Sequence, residues 1–189
     1  MENELKVIAA LSRRYGSDPA YVFLGGGNTS VKNDDWLYIK PSGAALATIR
    51  PDQFLPLDRT RLRRIFTEPM PTEVTAREQA AKCHLEASVC PPGAGRPSVE
   101  APLHEAISWR YVVHLHPALV NAMTCGRDGA AACKRLFPEA VWVDYCDPGY
   151  TLATRVKAAL DAATGPDGRQ PQVIFLQNHG VFVGADDED

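Results

Sequence analysis

The sequence predicts an α/β protein in which helices cover a mixed β-sheet. Short β-like runs alternate with helical segments along its 189 residues. The early runs are joined by turn signals, as in an antiparallel meander, whereas helices separate the later ones. A content of 45% hydrophobic and 23% charged residues supports one compact core, and we find no repeat or linker. We therefore predict a single domain over residues 1–189.

The chain is predicted to begin with a helix and a three-stranded meander. Leu5, Ile8 and Leu11 have helical spacing in the N-terminal segment. Gly-rich and Asn-Asp turn signals then separate three β-like runs, at residues 21–24, 29–32 and 36–40.

Two helices follow the meander. "LDRTRLRRIF" begins with Asp58 as an N-cap, and in "TAREQAAKCHLEASV" Thr75 and Glu78 have the spacing of a capping box. The loop "CPPGAGRPSVE" then leads into the short helix "APLHEAISW".

From Tyr111 onward, strands and helices alternate. A strand is followed by the helices "PALVNAM" and "AAACKRLF", the strand "VWVDY", the helix "TLATRVKAALDAA" and the strands "QVIFLQN" and "VFVGA".

Charge and composition exclude several classes of function. A net charge of -3 gives no broad basic surface for nucleic acid, and "RTRLRR" alternates with apolar residues as a solvated helix face does. The N-terminal segment lacks the apolar core of a signal peptide or membrane span, so we expect a cytoplasmic protein. The five cysteines are scattered without a Cys-x-x-Cys pair, which favours reduced thiols in the core over disulfides or a thiolate zinc site.

The stretch "YVVHLHPALV" places His114 and His116 on one side of a predicted strand. Two imidazoles so placed suit a zinc-like ion, although two half-buried histidines in ordinary hydrogen bonds remain nearly as good an interpretation. His179 ends another β-like run before Gly180, and Glu100 begins a helix whose positive end favours a carboxylate. Three neutral imidazoles with an open position form a catalytic metal arrangement, beside which a carboxylate can carry protons.

Two further histidines carry weaker signals. His104 lies four residues after Glu100 on the same helix face and is either a partner of the site or, the favoured interpretation, a packing or surface residue. His84 is interpreted as structural. "HEAIS" lacks the second histidine of a zinc-protease motif, which disfavours a metalloprotease.

Three polar loops have the composition of an anion site. "GGGNTS" combines glycines, which free backbone amides, with short donors, as a phosphate cradle or a plain hairpin turn would. "KPSG" and "RPSVE" offer similar groups, so the three loops are candidates to converge on one phosphate.

Together and in this order, "GGGNTSVK", "KPSG", "PSVEAPLH", "VVHLHP" and "QNHGVFVG" resemble the class II aldolase/adducin family. The detail of "PLDRTRLRRIF" and "EAPLH" looks most like the rhamnulose-1-phosphate aldolase half of bifunctional aldolase/dehydrogenase proteins. The resemblance implies a three-layer αβα domain with a mixed, largely antiparallel central sheet. It also implies a cyclic homotetramer, and a helix after the last strand that this chain is expected to lack.

The resemblance also implies roles for individual residues. A zinc ion, or another divalent metal, is expected at one per subunit, with Glu100 as the catalytic carboxylate. Tyr145 lies near the position of a tyrosine that protonates the aldehyde oxygen, a packed strand residue being the alternative. Val99 replaces a serine that often precedes the glutamate. The implied metal ligands are His114, His116 and His179. The implied phosphate-binding residues are Gly27, Asn28, Ser42, Gly43 and Ser98.

The function implied by the resemblance is zinc-dependent retro-aldol cleavage of a ketose 1-phosphate, such as rhamnulose or fuculose 1-phosphate, to dihydroxyacetone phosphate and an aldehyde. Decarboxylases, dehydratases and epimerases of the family share much of the site and remain alternatives. A non-catalytic, adducin-like binding protein is the alternative from another class.

Overall fold

A mixed sheet runs through the middle of the protein in the computed structural model, which describes residues 1–23 and 26–187. Within these residues the sheet has seven strands in the order β3-β2-β1-β4-β7-β6-β5. Neighbouring strands are antiparallel except β5 and β6, which are parallel. The predicted mixed, largely antiparallel sheet is confirmed. The strands are β1 (Asn28–Lys32), β2 (Trp36–Ile39), β3 (Leu55–Asp58), β4 (Tyr111–Leu115), β5 (Val141–Val143), β6 (Val173–Leu176) and β7 (Gly180–Ala185).

Helices cover both faces of the sheet. One face packs against α2, α3, α4 and α7 through the apolar clusters around Leu57 and Phe182, and the other packs against α1, α5 and α6 through Ile8 and Cys133. The three-layer αβα arrangement is therefore confirmed. The helices are α1 (Glu2–Gly16), α2 (Arg59–Thr67), α3 (Val74–Ser88), α4 (Ala101–Ala106), α5 (Ala118–Thr124), α6 (Gly129–Leu136) and α7 (Tyr150–Ala163).

The first strand is buried on both faces, and its two faces differ in polarity. On the α1 side, Val31 joins the apolar cluster and Thr29 shares a hydrogen bond of 2.7 Å with Ser12. On the α4 side, Asn28, Ser30 and Lys32 are all buried polar residues. A buried polar group is costly unless it is hydrogen-bonded, so this side of β1 requires polar partners from α4.

Local predictions in the first half need correction. Residues 21–23 form no strand, because the Val22 amide turns back to the carbonyl of Asp18, and Leu24 lies outside the described residues. Residues 55–58 form β3, a strand that was not predicted, since Leu55 and Leu57 alternate into the core. Asp58 does cap α2, accepting a hydrogen bond from the Arg61 amide at 3.0 Å.

The predicted capping box of α3 is wrong. Glu73 caps this helix through the amides of Thr75 and Ala76, because the helix begins two residues earlier than a Thr75 cap requires. The Glu78 carboxylate instead accepts a hydrogen bond of 3.0 Å from the Tyr150 amide at the start of α7. Tertiary contact thus replaces the local pairing.

The five cysteines differ in burial. All five cysteines are free thiols, as predicted, but Cys133 is buried whereas Cys83 and Cys125 are exposed, so the predicted core location holds for only part of the set.

Within residues 1–23 and 26–187, none of the helices is both long and apolar enough to cross a lipid bilayer.

The arginine-rich segment on α2 is not simply a solvated face. Arg59 and Arg63 both bind the Glu105 carboxylate, at 2.8 Å and 2.6 Å, and the Glu105 side chain is only 2% exposed. Periodicity alone could not show this, because Glu105 comes from α4. The pairs tie α2 to α4.

Glu105→Ala is expected to lower the free energy of unfolding by about 3 kcal/mol, because it leaves a nearly buried guanidinium without its partner. Asp52→Ala, which breaks the exposed pair with Arg50, is the control and should cost less than about 1 kcal/mol. Urea unfolding followed by circular dichroism measures both. Equal losses of unfolding free energy in the two variants would contradict the interpretation that Glu105 forms stabilising buried ion pairs between α2 and α4.

Candidate active site

Three histidines meet at one end of the sheet. His114 lies on β4, His116 follows the last residue of that strand, and His179 lies in the turn between β6 and β7. The Nε2 atoms of His114 and His116 are 2.9 Å apart. One ring nitrogen from each of the three histidines lies within 4.8 Å of the others. The residues predicted as metal ligands are therefore brought together from segments about sixty residues apart.

His114 is held in a fixed orientation. Its ring is fully buried, stacks on Phe182 at a centroid distance of 4.0 Å, and donates its Nδ1–H to the Val181 carbonyl at 3.0 Å. This hydrogen bond leaves the Nε2 lone pair directed at the other histidines. Burial lowers the pKa of His114 to about 4, so the ring is neutral at pH 7 and able to ligate a cation.

Two glycines make room for the histidines. A Cβ on Gly180 would lie 2.6 Å from Cδ2 of His116 and 2.4 Å from the Leu115 carbonyl oxygen. Gly27 has a φ of +75°, and a Cβ there would lie 2.7 Å from the His114 carbonyl oxygen. Larger residues would push the backbone away from the rings at both positions. Gly25, the first glycine of "GGGNTS", lies outside the described residues.

Glu100 faces the same cluster from the first residue before α4. Its Oε1 lies 3.4 Å from His114 Nε2 and 3.3 Å from His179 Nε2, and its Oε2 accepts a hydrogen bond from Asn28 Nδ2. Burial by itself would raise the pKa of Glu100, but the neighbouring imidazoles and the Asn28 amide outweigh it and lower that pKa well below the ordinary value. The carboxylate form is therefore favoured at neutral pH.

The donor set fits a divalent metal ion. Three imidazole nitrogens within reach of one another match the ligand type that zinc and similar ions prefer. Burial lowers the pKa of His116 as well as that of His114, so both rings are neutral at pH 7 and each has one nitrogen lone pair for a cation. The residues His114, His116 and His179 can hold one ion, with Glu100 beside it.

The three polar loops also converge. The Ser98 hydroxyl accepts hydrogen bonds from Asn28 Nδ2 at 3.2 Å and from the Glu100 amide at 3.3 Å. The Ser42 amide donates to the Arg96 carbonyl at 2.9 Å, and the Arg96 guanidinium donates to the Ser42 hydroxyl at 2.7 Å. Gly43 follows Ser42 with a φ of +89°, and a Cβ added there would have no atom beyond its chain neighbours within 4 Å. Of the residues predicted to bind phosphate, Asn28 and Ser98 therefore contact Glu100, whereas Ser42 contacts the loop that carries Ser98.

Tyr145 lies at the other side of the site. It follows β5 rather than belonging to it, and with 53% exposure it is not the packed strand residue of the alternative prediction. Its hydroxyl donates to Asp147 at 3.3 Å. Tyr145 and His179 line the same cavity of about 230 Å³, together with Gln177 and Asn178. The tyrosine is therefore near the cluster but not hydrogen-bonded to it.

Sequence reasoning gave too little weight to His104. This side chain is fully buried beneath Glu100, hydrogen-bonds Ser30 at 2.7 Å and contacts the Asn28 amide oxygen through Nε2. The available signals were its spacing of four residues from Glu100 and the alternating polar residues of "NTSVK". His84, by contrast, lies on α3 with Nε2 3.5 Å from Glu68, away from the site.

Solved structures with the same fold include close and distant matches. The N-terminal class II aldolase domain of a conserved protein from Thermoplasma acidophilum is 28% identical, with a TM-score of 0.79 over 96% of this chain and 83% of that one. The L-fuculose-1-phosphate aldolase from Thermus thermophilus is 19% identical, with a TM-score of 0.59 over 97% of this chain and 82% of that one. The second likeness concerns the fold alone.

Sequence comparisons identify the family. An uncharacterized oxidoreductase, YuxG from Bacillus subtilis (strain 168), is 26% identical in an alignment 182 residues long that covers 91% of this chain and 25% of that protein. The chain thus spans a quarter of the length of this curated relative. The family model described as "Class II Aldolase and Adducin N-terminal domain" matches residues 6–189. Because this match covers nearly the whole sequence, the chain belongs to the class II aldolase and adducin family.

Proposed function

We propose that this protein is a zinc-dependent aldolase that cleaves a ketose 1-phosphate to dihydroxyacetone phosphate and an aldehyde. The observation that carries the proposal is the meeting of three histidine nitrogens with the Glu100 carboxylate, 3.3–3.4 Å from two of the rings. A binding protein without catalysis has no need of a carboxylate held against the histidines at that position. Family membership supports the same chemistry.

The proposed site requires a bound metal ion in addition to the protein's own side chains. His114, His116 and His179 would hold it. When bound, zinc acts as a Lewis acid that polarises the substrate carbonyl and its neighbouring hydroxyl, which makes carbon–carbon cleavage easier. The chain holds these ligands in place through the hydrogen bond from His114 to Val181 and the turn that carries His179.

Glu100 is proposed to carry the proton. As the bond between C3 and C4 breaks, the carboxylate takes the proton of the C4 hydroxyl, and C4 becomes the aldehyde carbon. The electron pair of the broken bond remains on C3, to which the Glu100 carboxyl group gives that proton, so the carboxylate returns to its starting state. Tyr145, in the cavity beside His179, is the candidate to share this proton transfer at the aldehyde oxygen.

The loops beside Glu100 are proposed to bind the substrate phosphate. Ser42, Gly43 and Ser98 offer hydroxyl and amide groups, and Gly27 precedes Asn28, whose side chain donates to Ser98. The Asn28 side chain is engaged by Glu100 and Ser98, so its share in phosphate binding is secondary to its hold on the carboxylate. We further propose a homotetramer in the cytoplasm, for which family membership is the support.

Metal analysis and a substrate screen test the proposal. Purified protein is expected to contain one zinc per chain, and a coupled assay should detect dihydroxyacetone phosphate released from rhamnulose 1-phosphate or fuculose 1-phosphate. Removing zinc with a chelator should abolish turnover, because the histidines alone cannot polarise the carbonyl.

The products distinguish the alternatives. Carbon dioxide, a dehydrated sugar phosphate or an epimer in place of dihydroxyacetone phosphate would replace the proposal with the corresponding activity. A protein without bound metal and without turnover on any sugar phosphate would indicate an adducin-like binding role.

A further inference from the structure

A line of buried polar groups connects β1 to α4 beneath the active site. We call it the β1–α4 seam and define it by Asn28 and Ser30 on the strand and Glu100 and His104 on the helix side. Asn28, Ser30 and His104 are buried, and each is hydrogen-bonded within the seam. The seam ends at Glu100, the carboxylate that faces the histidine cluster.

We propose that His104 is a positioning residue for Glu100 and acts through the amide of Asn28. This inference rests on the proposed function, in which Glu100 carries the proton. It goes beyond that function by assigning a task to a histidine that touches neither metal nor substrate. The pattern of donors and acceptors in the seam carries the inference.

The direction of every hydrogen bond in the seam follows from the carboxylate. An ionised carboxylate only accepts, so Asn28 must direct its Nδ2 to Glu100, where it also donates to Ser98 at 3.2 Å. The Asn28 Oδ1 then faces His104, whose Nε2 must carry the hydrogen. The remaining ring nitrogen, Nδ1, accepts from the Ser30 hydroxyl at 2.7 Å. Each group has one consistent role.

The histidine thereby selects the orientation of the Asn28 amide. An amide and its rotated form have nearly the same shape, so packing alone does not distinguish them. A donor at His104 Nε2 favours the form that presents an N–H to Glu100. Without that donor, rotation would bring an oxygen against the carboxylate, and Glu100 would lose its fixed orientation toward His114 and His179.

The helix that carries both residues is held at its far end as well. The Lys32 side-chain nitrogen donates to the carbonyl oxygens of His104 and Ile107, at the C-terminal end of α4. A donor there satisfies carbonyls that the helix cannot pair internally. The position of His104 relative to β1 is therefore constrained on both sides.

A simple packing role for His104 makes a different prediction. Its ring contacts Phe182 edge-on at a centroid distance of 5.4 Å, and a leucine would fill a similar volume. If packing were its only task, His104→Leu would change stability but leave the rate of the chemical step unaltered.

His104→Leu, His104→Gln and Ser30→Ala test the proposal in zinc-loaded protein. His104→Leu is expected to retain one zinc per chain and a KM within twofold of wild type but to lose at least tenfold in kcat. His104→Gln, which keeps an N–H donor for Asn28, should recover most of that loss. Ser30→Ala removes only the hydroxyl that fixes the ring and should lower kcat severalfold. His84→Leu, on α3, is the matched control and should leave kcat unchanged.

A second measurement does not depend on turnover. In ¹⁵N NMR spectra of wild-type protein, His104 should show the Nε2–H form, and the side-chain amide of Asn28 should be protected from exchange with water. Both signatures should survive in a protein without aldolase activity, which would count against the proposed function alone.

Two results would overturn the proposal. One is an unchanged kcat in the His104→Leu protein. The other is a wild-type His104 that carries its hydrogen on Nδ1. If His104→Leu fails to fold, the Ser30→Ala and His104→Gln proteins test the proposal instead. A wild-type kcat in Ser30→Ala, together with a kcat at least tenfold below wild type in His104→Gln, would contradict the positioning role of His104.

Discussion

Glu100→Gln is expected to lower kcat by about 10²- to 10⁴-fold while the protein keeps its bound metal. Glutamine has the size of glutamate and can still accept a hydrogen bond from Asn28, but it cannot take up the proton of the C4 hydroxyl. The metal should remain because the three histidines, and not Glu100, are its proposed ligands. Turnover of a ketose 1-phosphate and zinc content per chain are the measurements.

Glu139→Gln provides the control, since Glu139 is exposed and lies outside the site. It should match wild type in both measurements. Turnover at the wild-type rate in the Glu100→Gln protein would remove Glu100 from the mechanism, and loss of metal in that protein would make it a ligand instead.

His116→Ala is expected to reduce bound zinc from one per chain to less than about a tenth after gel filtration, and to abolish measurable cleavage. Two imidazoles hold zinc far more weakly than three, and the cavity left by the ring admits water. His116 is the preferred position because it is only partly buried, whereas His114 is enclosed and stacked on Phe182. Zinc is measured by mass spectrometry of the purified protein.

The control for this variant is His84→Ala, which removes a histidine outside the cluster. Circular dichroism of both proteins separates loss of metal from loss of structure. A full equivalent of zinc in the His116→Ala protein would show that the cluster is not the metal site.

Much of the candidate site follows from short stretches of sequence. His114 and His116 share a side because alternate residues of an extended chain point the same way, and Gly180 after His179 indicates a tight turn between strands. The motifs around Glu100, Ser42 and Asn28 carry local backbone and side-chain chemistry that is visible without a structure. These features therefore predict which residues belong to the site.

Contacts between segments that are distant in the sequence were harder to predict. The strand β3 was not predicted, because "LPLD" is short and is followed directly by a helix. Glu78 has the spacing of a capping residue but binds the Tyr150 amide, and Arg59 looks solvated although it binds Glu105. In each case the partner lies many residues away, so no local pattern identifies it.

The sequence by itself determined the α/β class, the order of most elements and the set of histidines, because periodicity and residue chemistry act over a few positions. Only the tertiary structure decided that β1 directs Asn28 and Ser30 at α4, and that His104 lies buried beneath Glu100. The reason is physical. Buried polar groups must find hydrogen-bond partners, and the partners available depend on which elements the sheet brings face to face.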